Sequence, residues 1–229
     1  MLQARAIERR AGGHHLLDRL SVEIGGGERI ALSGPSGAGK TVLLRALALL
    51  DPLDGGEVRL DGQPVEPAGV PAYRCRVGYL HQTPALAAGT VEANLRLPFS
   101  LAAHRHREFD RALAIELLGQ LGKDEGFLRR RRGELSGGEA QIAALVRLLQ
   151  LAPEILLLDE PTAALDPESA ELARRLLREW QQVDAGGRSY LWVTHDAALA
   201  GRVANRYLRL VDGRLQSVGP EDLDPEAPA

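Results

Sequence analysis

The run Gly34-Pro35-Ser36-Gly37-Ala38-Gly39-Lys40-Thr41 constrains the fold of this chain more than any other segment. The spacing G-x-x-x-x-G-K-T lets successive backbone N–H groups curl around a polyphosphate. Its flanks fit that geometry. Arg29 to Ser33 reads as a short buried strand entering the loop, and Thr41 to Leu50 as an apolar helix leaving it, with its N-terminus aimed at the anion. The chain is built on arginine: of its 28 basic residues only Lys40 and Lys123 are lysines, and one of them closes this loop. There a compact ammonium reaches the β- and γ-phosphates as a point charge. The Thr41 hydroxyl is suited to hold Mg²⁺. Taken alone, the loop means a nucleotide or phosphate binder, whether kinase, GTPase, motor or transporter ATPase.

Bulk properties narrow the field. At 229 residues the chain is one large domain or two small ones. Its net charge of −3 supplies no global basic field, so nucleic acid is not expected as a partner. Cys75 is the only cysteine, which excludes an internal disulfide and a cysteine zinc cluster and fits a reducing, cytoplasmic setting. The N-terminal MLQARAIERR has no apolar core of the signal-peptide kind. The most apolar stretch, Val42 to Leu50, is interrupted by Arg45 and is too short to span a bilayer. Any membrane role is expected to come through a partner.

Along the chain, residues 2–8 and 20–24 read as edge strands, and Glu57 to Leu60 and Arg76 to Leu80 as further strands separated by turns at Asp61-Gly62 and Pro64 to Pro71. Helical patterns follow over Val91 to Leu97, Glu108 to Leu121 and Gly137 to Gln150. Ile155-Leu156-Leu157-Leu158-Asp159 is an unbroken apolar run, as in a strand buried on both faces of a parallel sheet. An amphipathic helix is expected over Pro167 to Val183, a strand over Ser189 to Thr194, and a hairpin of Arg206 to Leu210 with Arg214 to Val218 around Asp212-Gly213. The acidic, proline-bearing tail 219–229 is expected to fray. Arg129 to Arg132 read as a solvated patch, and His104 and His106 as surface histidines.

Asp159 and Glu160 close the buried strand. A carboxylate there, beside a phosphate loop, is placed to hold Mg²⁺, and its neighbour to polarise the attacking water. Leu135-Ser136-Gly137-Gly138-Glu139 carries capping-box spacing before an apolar helix face. A simple cap does not call for Gly137 and Gly138, which weaken a first turn. They leave the helix N-terminus uncovered, a second phosphate-binding surface about a hundred residues from the first.

In these elements the chain resembles an ABC-transporter ATP-binding subunit, from about residue 2 to 218. The resemblance implies an α/β P-loop NTPase core of mostly parallel sheet flanked by helices, with N-terminal antiparallel strands and a helical subdomain. The core would take residues 1–85 and 152–218, and the helical subdomain 86–151. It implies ATP and Mg²⁺, with nucleotide contacts from Gly34 through Thr41 and from Val42. Gln82 would touch the metal and face the membrane partner, Leu135 to Glu139 would form the signature, with nucleotide contacts from Ser136 to Glu139, and Asp159 and Glu160 the magnesium and water-activating pair. Asp166 would be the cross-dimer aspartate and His195 the γ-phosphate histidine. It implies a head-to-tail pair of copies sandwiching two ATP molecules, and a polytopic permease at the cytoplasmic face of the membrane. Asp166 before Pro167, and Asp196 after His195, are also plain helix caps.

The segment Tyr73 to Leu86, running on through Gly89 to Phe99, is similar to the ATPase of Fet-type bacterial iron exporters. Leu86, Val91, Leu95, Leu97 and Phe99 are candidates for the permease-docking groove. Two positions depart from the family. Ala11 stands where an aromatic commonly stacks on adenine, and His14 or His15 is the candidate replacement; Glu139 stands where glutamine is usual. A soluble ABC-type ATPase acting on nucleic acid or ribosomes is the alternative reading. A small-molecule phosphoryl transferase has no use for the second phosphate surface.

Overall fold

The computed structural model describes residues 1–183 and 187–223. Two sheets organise it. The smaller is antiparallel, in the order β2-β1-β4-β5, from β1 (Leu2–Ala11), β2 (His14–Ile24), β4 (Gly55–Leu60) and β5 (Gln63–Pro64). The larger has the order β10-β9-β3-β8-β7-β6. Its strands are β3 (Arg29–Ser33), β6 (Val77–Leu80), β7 (Ile155–Asp159), β8 (Ser189–Val193), β9 (Arg206–Val211) and β10 (Arg214–Ser217). All pair in parallel except β10 on β9. Every residue of β7 and of β8 is buried, so the unbroken apolar run is a strand covered on both faces.

Helices α1 (Lys40–Leu47), α2 (Val70–Arg76), α3 (Val91–Arg96), α4 (Arg111–Gln120), α5 (Gly137–Leu149), α6 (Pro167–Gln182) and α7 (Ala197–Val203) complete the chain. One apolar cluster runs from Leu118 on α4 and Leu145 on α5 to Leu156 on β7 and Trp192 on β8. The other joins the small sheet to α1 and the opposite face of the large sheet, through Ile7, Leu43, Leu157 and Leu191. No helix of the described residues is long and apolar enough to cross a membrane.

Five expectations are corrected. β1 is not an edge strand: it pairs with β2 on one side and β4 on the other. Both strands of that hairpin run further than 2–8 and 20–24, through the exposed, polar residues near Gly12-Gly13 that hid the pattern. The segment 70–76, expected as turn and strand, is helix α2, with Pro71 in its first turn, where a missing N–H costs nothing. A long-range contact holds it: the buried Tyr73 hydroxyl donates to the Leu47 carbonyl at the end of α1, and Arg74 Nε donates to the Ala48 carbonyl at 3.2 Å. α4 begins at Arg111 rather than Glu108 because Asp110 caps it, accepting from Leu113 N at 3.0 Å. His104 is buried while His106 is exposed. The His104 ring packs against Cys75, Sγ to Nε2 3.8 Å; burial lowers the imidazole pKa and raises that of the thiol. In the tail, Pro220–Leu223 forms a 3₁₀ turn, and residues 224–229, expected to fray, lie outside the described residues.

Candidate active site

Register brings the chemistry together. Leu32 of β3 and Asp159 of β7 both pair with Val193 of β8, and Leu80 of β6 pairs with Leu158. The parallel strands therefore end level, and Gly34, Gln82, Glu160 and His195 all leave one edge of the sheet. That is the edge where ligands of open α/β sheets bind.

Gly34 leaves β3 at φ 141°, and a Cβ there would stand 2.2 Å from the Leu210 carbonyl oxygen of β9, so only glycine fits the turn. Gly39, at φ 98°, caps α1. The Lys40 ammonium donates to the carbonyls of Gly34 at 2.7 Å and Pro35 at 2.9 Å. Burial lowers its pKa, opposed by the charges of Glu160 and Asp159.

At the strand ends, Thr41 Oγ1 donates to Asp159 Oδ2 at 2.8 Å, and Tyr79 OH reaches the same oxygen at 3.3 Å. Burial raises the Asp159 pKa; the two hydroxyls lower it, and Glu160 raises it further. Glu160 turns out of β7 at φ 46°. Gln82 Nε2 donates to Glu160 Oε2 at 3.0 Å, and His195 Nδ1 lies 3.6 Å from Glu160 Oε1.

A cavity of about 320 Å³ opens between these groups. Ser36, Gly37, Gly39, Lys40, Thr41 and Val42 line it from the loop side, and Gln82, Asp159 and Glu160 from the strand ends. His195 instead shares with Glu160 an adjoining cavity of about 210 Å³ that also holds Thr162 and Arg174. Pro35 and Ala38 line a third, of about 290 Å³, on the far side of the loop with His15, Leu16 and the Asp212-Gly213 turn. Of the two candidate histidines only His15 is there. Among the described residues no group of three or more His, Cys, Asp or Glu gathers to hold a metal. Thr41 and Asp159 nevertheless present two hard oxygens side by side, a donor set that suits Mg²⁺ completed by phosphate and water oxygens.

Ser136, Gly137, Gly138, Glu139 and Asp166 do not line the loop cavity. Ser136 caps α5 in a full capping box with Glu139, and Asp166 caps α6, accepting from Ser169 N at 2.9 Å. The two caps are neighbours: a Cβ on Gly138 would stand 2.8 Å from the Ala164 carbonyl oxygen. The expected residues therefore divide between the loop cavity with its two adjoining cavities and a separate helix start. Tyr79 is a site residue that the sequence did not mark; nothing near it in the chain points to Asp159. The four-arginine run is not simply solvated either. Arg130 pairs with Glu139, and Arg131 N donates to Glu134 Oε2 at 2.8 Å.

A further cavity, of about 370 Å³, lies on another face, lined by Leu50, Arg74, Pro84, Ala85, Pro98 and Arg147 among others. None of the five expected groove residues lines it. Val91 and Leu95 are core, Leu86 packs partly buried against the core, Leu97 is exposed, and Phe99 stacks edge-on to Phe109 at 5.9 Å. Hydrophobicity marked these positions, and at Val91 and Leu95 the inner face of α3 uses it for the core.

Comparison with known proteins places this geometry. The ABC transporter family profile matches residues 17–163. The chain is 39% identical over 228 residues to the sulfate/thiosulfate import ATP-binding protein CysA of Caulobacter vibrioides, covering 98% of this chain and 66% of that one. It is 40% identical over 211 residues to the hemin import ATP-binding protein HmuV of Streptomyces coelicolor, covering 91% and 74%. To the "Probable iron export ATP-binding protein FetA" of Escherichia coli it is 36% identical over 200 residues, covering 86% and 85%. A solved dimeric ATP-binding cassette, in a post-hydrolysis state bound to ADP and Pi, superposes with a TM-score of 0.85 at 28% identity, covering 96% of this chain and 99% of that one.

Proposed function

Because the chain belongs to the ABC transporter family and is an ATP hydrolase, we propose that it powers a membrane transporter as a pair of copies closing head-to-tail on two ATP molecules. The observation that carries this reading is the division of the expected site. The loop cavity has a nucleophile-activating end at Glu160, whereas the glycine-bearing helix start at Ser136 to Gly138, closed only by its own capping box, stands apart from it. A second copy supplies that surface in trans.

In the proposed mechanism Lys40 and the N–H groups of Gly37 to Thr41 stabilise charge on the phosphoryl group being transferred. Thr41 and Asp159, with Gln82 nearby, would hold Mg²⁺, which when bound neutralises charge between the β- and γ-phosphates. Glu160, oriented by the Gln82 amide, accepts a proton from the water attacking in line. His195 donates toward the γ-phosphate, and Ser136, Gly137, Gly138 and Glu139 meet it from the other copy. Asp166, next in the chain after the Ala164-Leu165 pair that approaches Gly138, lies on the same mating face. His15, across the loop from Lys40, offers its ring to the base that Ala11 cannot stack on. Residues 86–151 act as the helical subdomain and 1–85 with 152–218 as the core. The apolar cavity beside Pro84 and Ala85 receives the permease, which holds the subunit peripherally on the cytoplasmic face.

The test is the concentration dependence of turnover. ATP hydrolysis per copy is expected to fall as the chain is diluted to monomer, and Ser136→Arg to abolish it by filling the mating face. Flat specific activity on dilution would sink the sandwich.

For the cargo we infer iron export, supported by the similarity of residues 73–99 to Fet-type exporters and by the identity with FetA. Cells lacking the chain are expected to retain more iron under iron load. Unchanged iron content with altered sulfate or hemin uptake would transfer the subunit to an importer, the role of the relatives CysA and HmuV.

A further inference from the structure

Glu139 puts an anion where the proposed function needs an anion-binding surface. It sits in the first turn of α5, with Oε2 accepting from Ser136 N at 2.9 Å, while Ser136 Oγ accepts from Glu139 N at 3.2 Å. This capping box spends the positive end of the helix on a charge of the chain's own. If the same helix start meets the triphosphate of a second copy's nucleotide, the two negative groups oppose each other.

Two cations answer that carboxylate. Arg130 donates from Nη1 to Glu139 Oε1 and from Nη2 to the Glu134 carbonyl. Lys123 Nζ lies 3.9 Å from the same Glu139 oxygen. Both cations stand over the ring of the buried Phe127, Lys123 at 5.7 Å and Arg130 at 5.8 Å from its centroid, which fixes their positions. The Ser136 N–H and the Arg130 guanidinium hold the Glu139 carboxyl below the ordinary carboxylate range, so its charge persists at neutral pH. Two cations against one carboxylate leave the cluster net positive.

We propose that Arg130 and Lys123 are positioning residues that neutralise Glu139 and convert the start of α5 into a net cationic surface for the triphosphate of a second copy's nucleotide. The proposal rests on the head-to-tail reading and adds to it what lets a carboxylate stand in the mating face. It also accounts for the chain's other lysine: each of the only two then serves one of the two phosphate surfaces. Within the four-arginine run it singles out Arg130, whose guanidinium is the one that pairs with Glu139 among the described residues.

The test follows ATP-driven dimerisation of the full chain by sedimentation, in the Glu160→Gln background. The comparison is among no further substitution, Arg130→Met with Lys123→Met, those two with Glu139→Gln, and Arg130→Lys. Neutralising both cations is expected to raise the ATP concentration at half-dimerisation about tenfold. Adding Glu139→Gln should return it to within about twofold, and Arg130→Lys should leave it near the starting value because the charge is kept. A role limited to packing over Phe127 would not be rescued by removing the opposing carboxylate. An unchanged midpoint in the doubly neutralised chain, or a failed rescue, overturns the proposal. If ATP drives no dimer even without these substitutions, the head-to-tail reading itself falls. A dimer indifferent to all three residues defeats this inference alone.

Discussion

Glu160→Gln is expected to bind ATP and scarcely turn it over, with hydrolysis reduced roughly 10²- to 10⁴-fold, the range that a positioned general base contributes. The substitution keeps shape and one hydrogen bond, because an amide oxygen at position 160 can still accept from Gln82 Nε2, now at 3.0 Å from the carboxylate. What it removes is the proton acceptor and a negative charge. That charge raises the Asp159 pKa and holds up that of Lys40, so it is felt on both sides of the loop cavity. Its loss relieves repulsion of the γ-phosphate, and ATP-bound dimer should accumulate where the wild type cycles. Single-turnover hydrolysis with quenched-flow sampling, alongside sedimentation, reads both effects. Normal turnover would remove Glu160 from the role of base and pass that role to another group on the strand edge, with His195 the nearest alternative.

Lys40→Ala should weaken ATP binding by one to two powers of ten. A charge-assisted hydrogen bond is worth about 1.5–3 kcal/mol, and about 1.4 kcal/mol is a factor of ten. The ammonium is tethered across the loop mouth by the Gly34 and Pro35 carbonyls, so it is already in place when the phosphates arrive. Its loss should reduce turnover more than affinity, since charge on the transferring phosphoryl group grows toward the transition state. Isothermal titration with ATP measures the first effect, and a dissociation constant within threefold of wild type would show that the loop N–H groups alone carry binding. Lys40→Arg is not expected to rescue, because a planar fork does not replace a compact charge in a turn built for it.

The legible parts of this protein were those whose chemistry is local. The phosphate loop is one contiguous stretch, with glycine where φ is positive at Gly34, Gly37 and Gly39, so its turn is written in its own residues. The capping box of α5 is a three-residue relation and formed as the spacing implied. β7 announced itself because a strand covered on both faces has no polar face to show. Helix α2 was missed because Pro71 and the nearby glycine read as a turn, and what makes it a helix is Tyr73 reaching Leu47, 26 residues back. His104 was missed because a polar neighbourhood in sequence is no guide to burial by α2 and Phe99 in space.

The sequence alone determined the ingredients: a glycine loop closed by a lysine, a strand ending in two carboxylates, and a helix start with two glycines inside a capping box. These follow from backbone sterics and hydrogen-bond stoichiometry within a few residues, which neighbours far along the chain cannot change. The tertiary structure decided which ingredients meet. Strand register set Thr41 on Asp159 and Gln82 on Glu160, and packing placed His15 rather than His14 beside the loop and brought Lys123 and Arg130 to one carboxylate. Those pairings depend on how separate elements pack, and packing is set by the sum of many weak apolar contacts rather than by any residue's own preference.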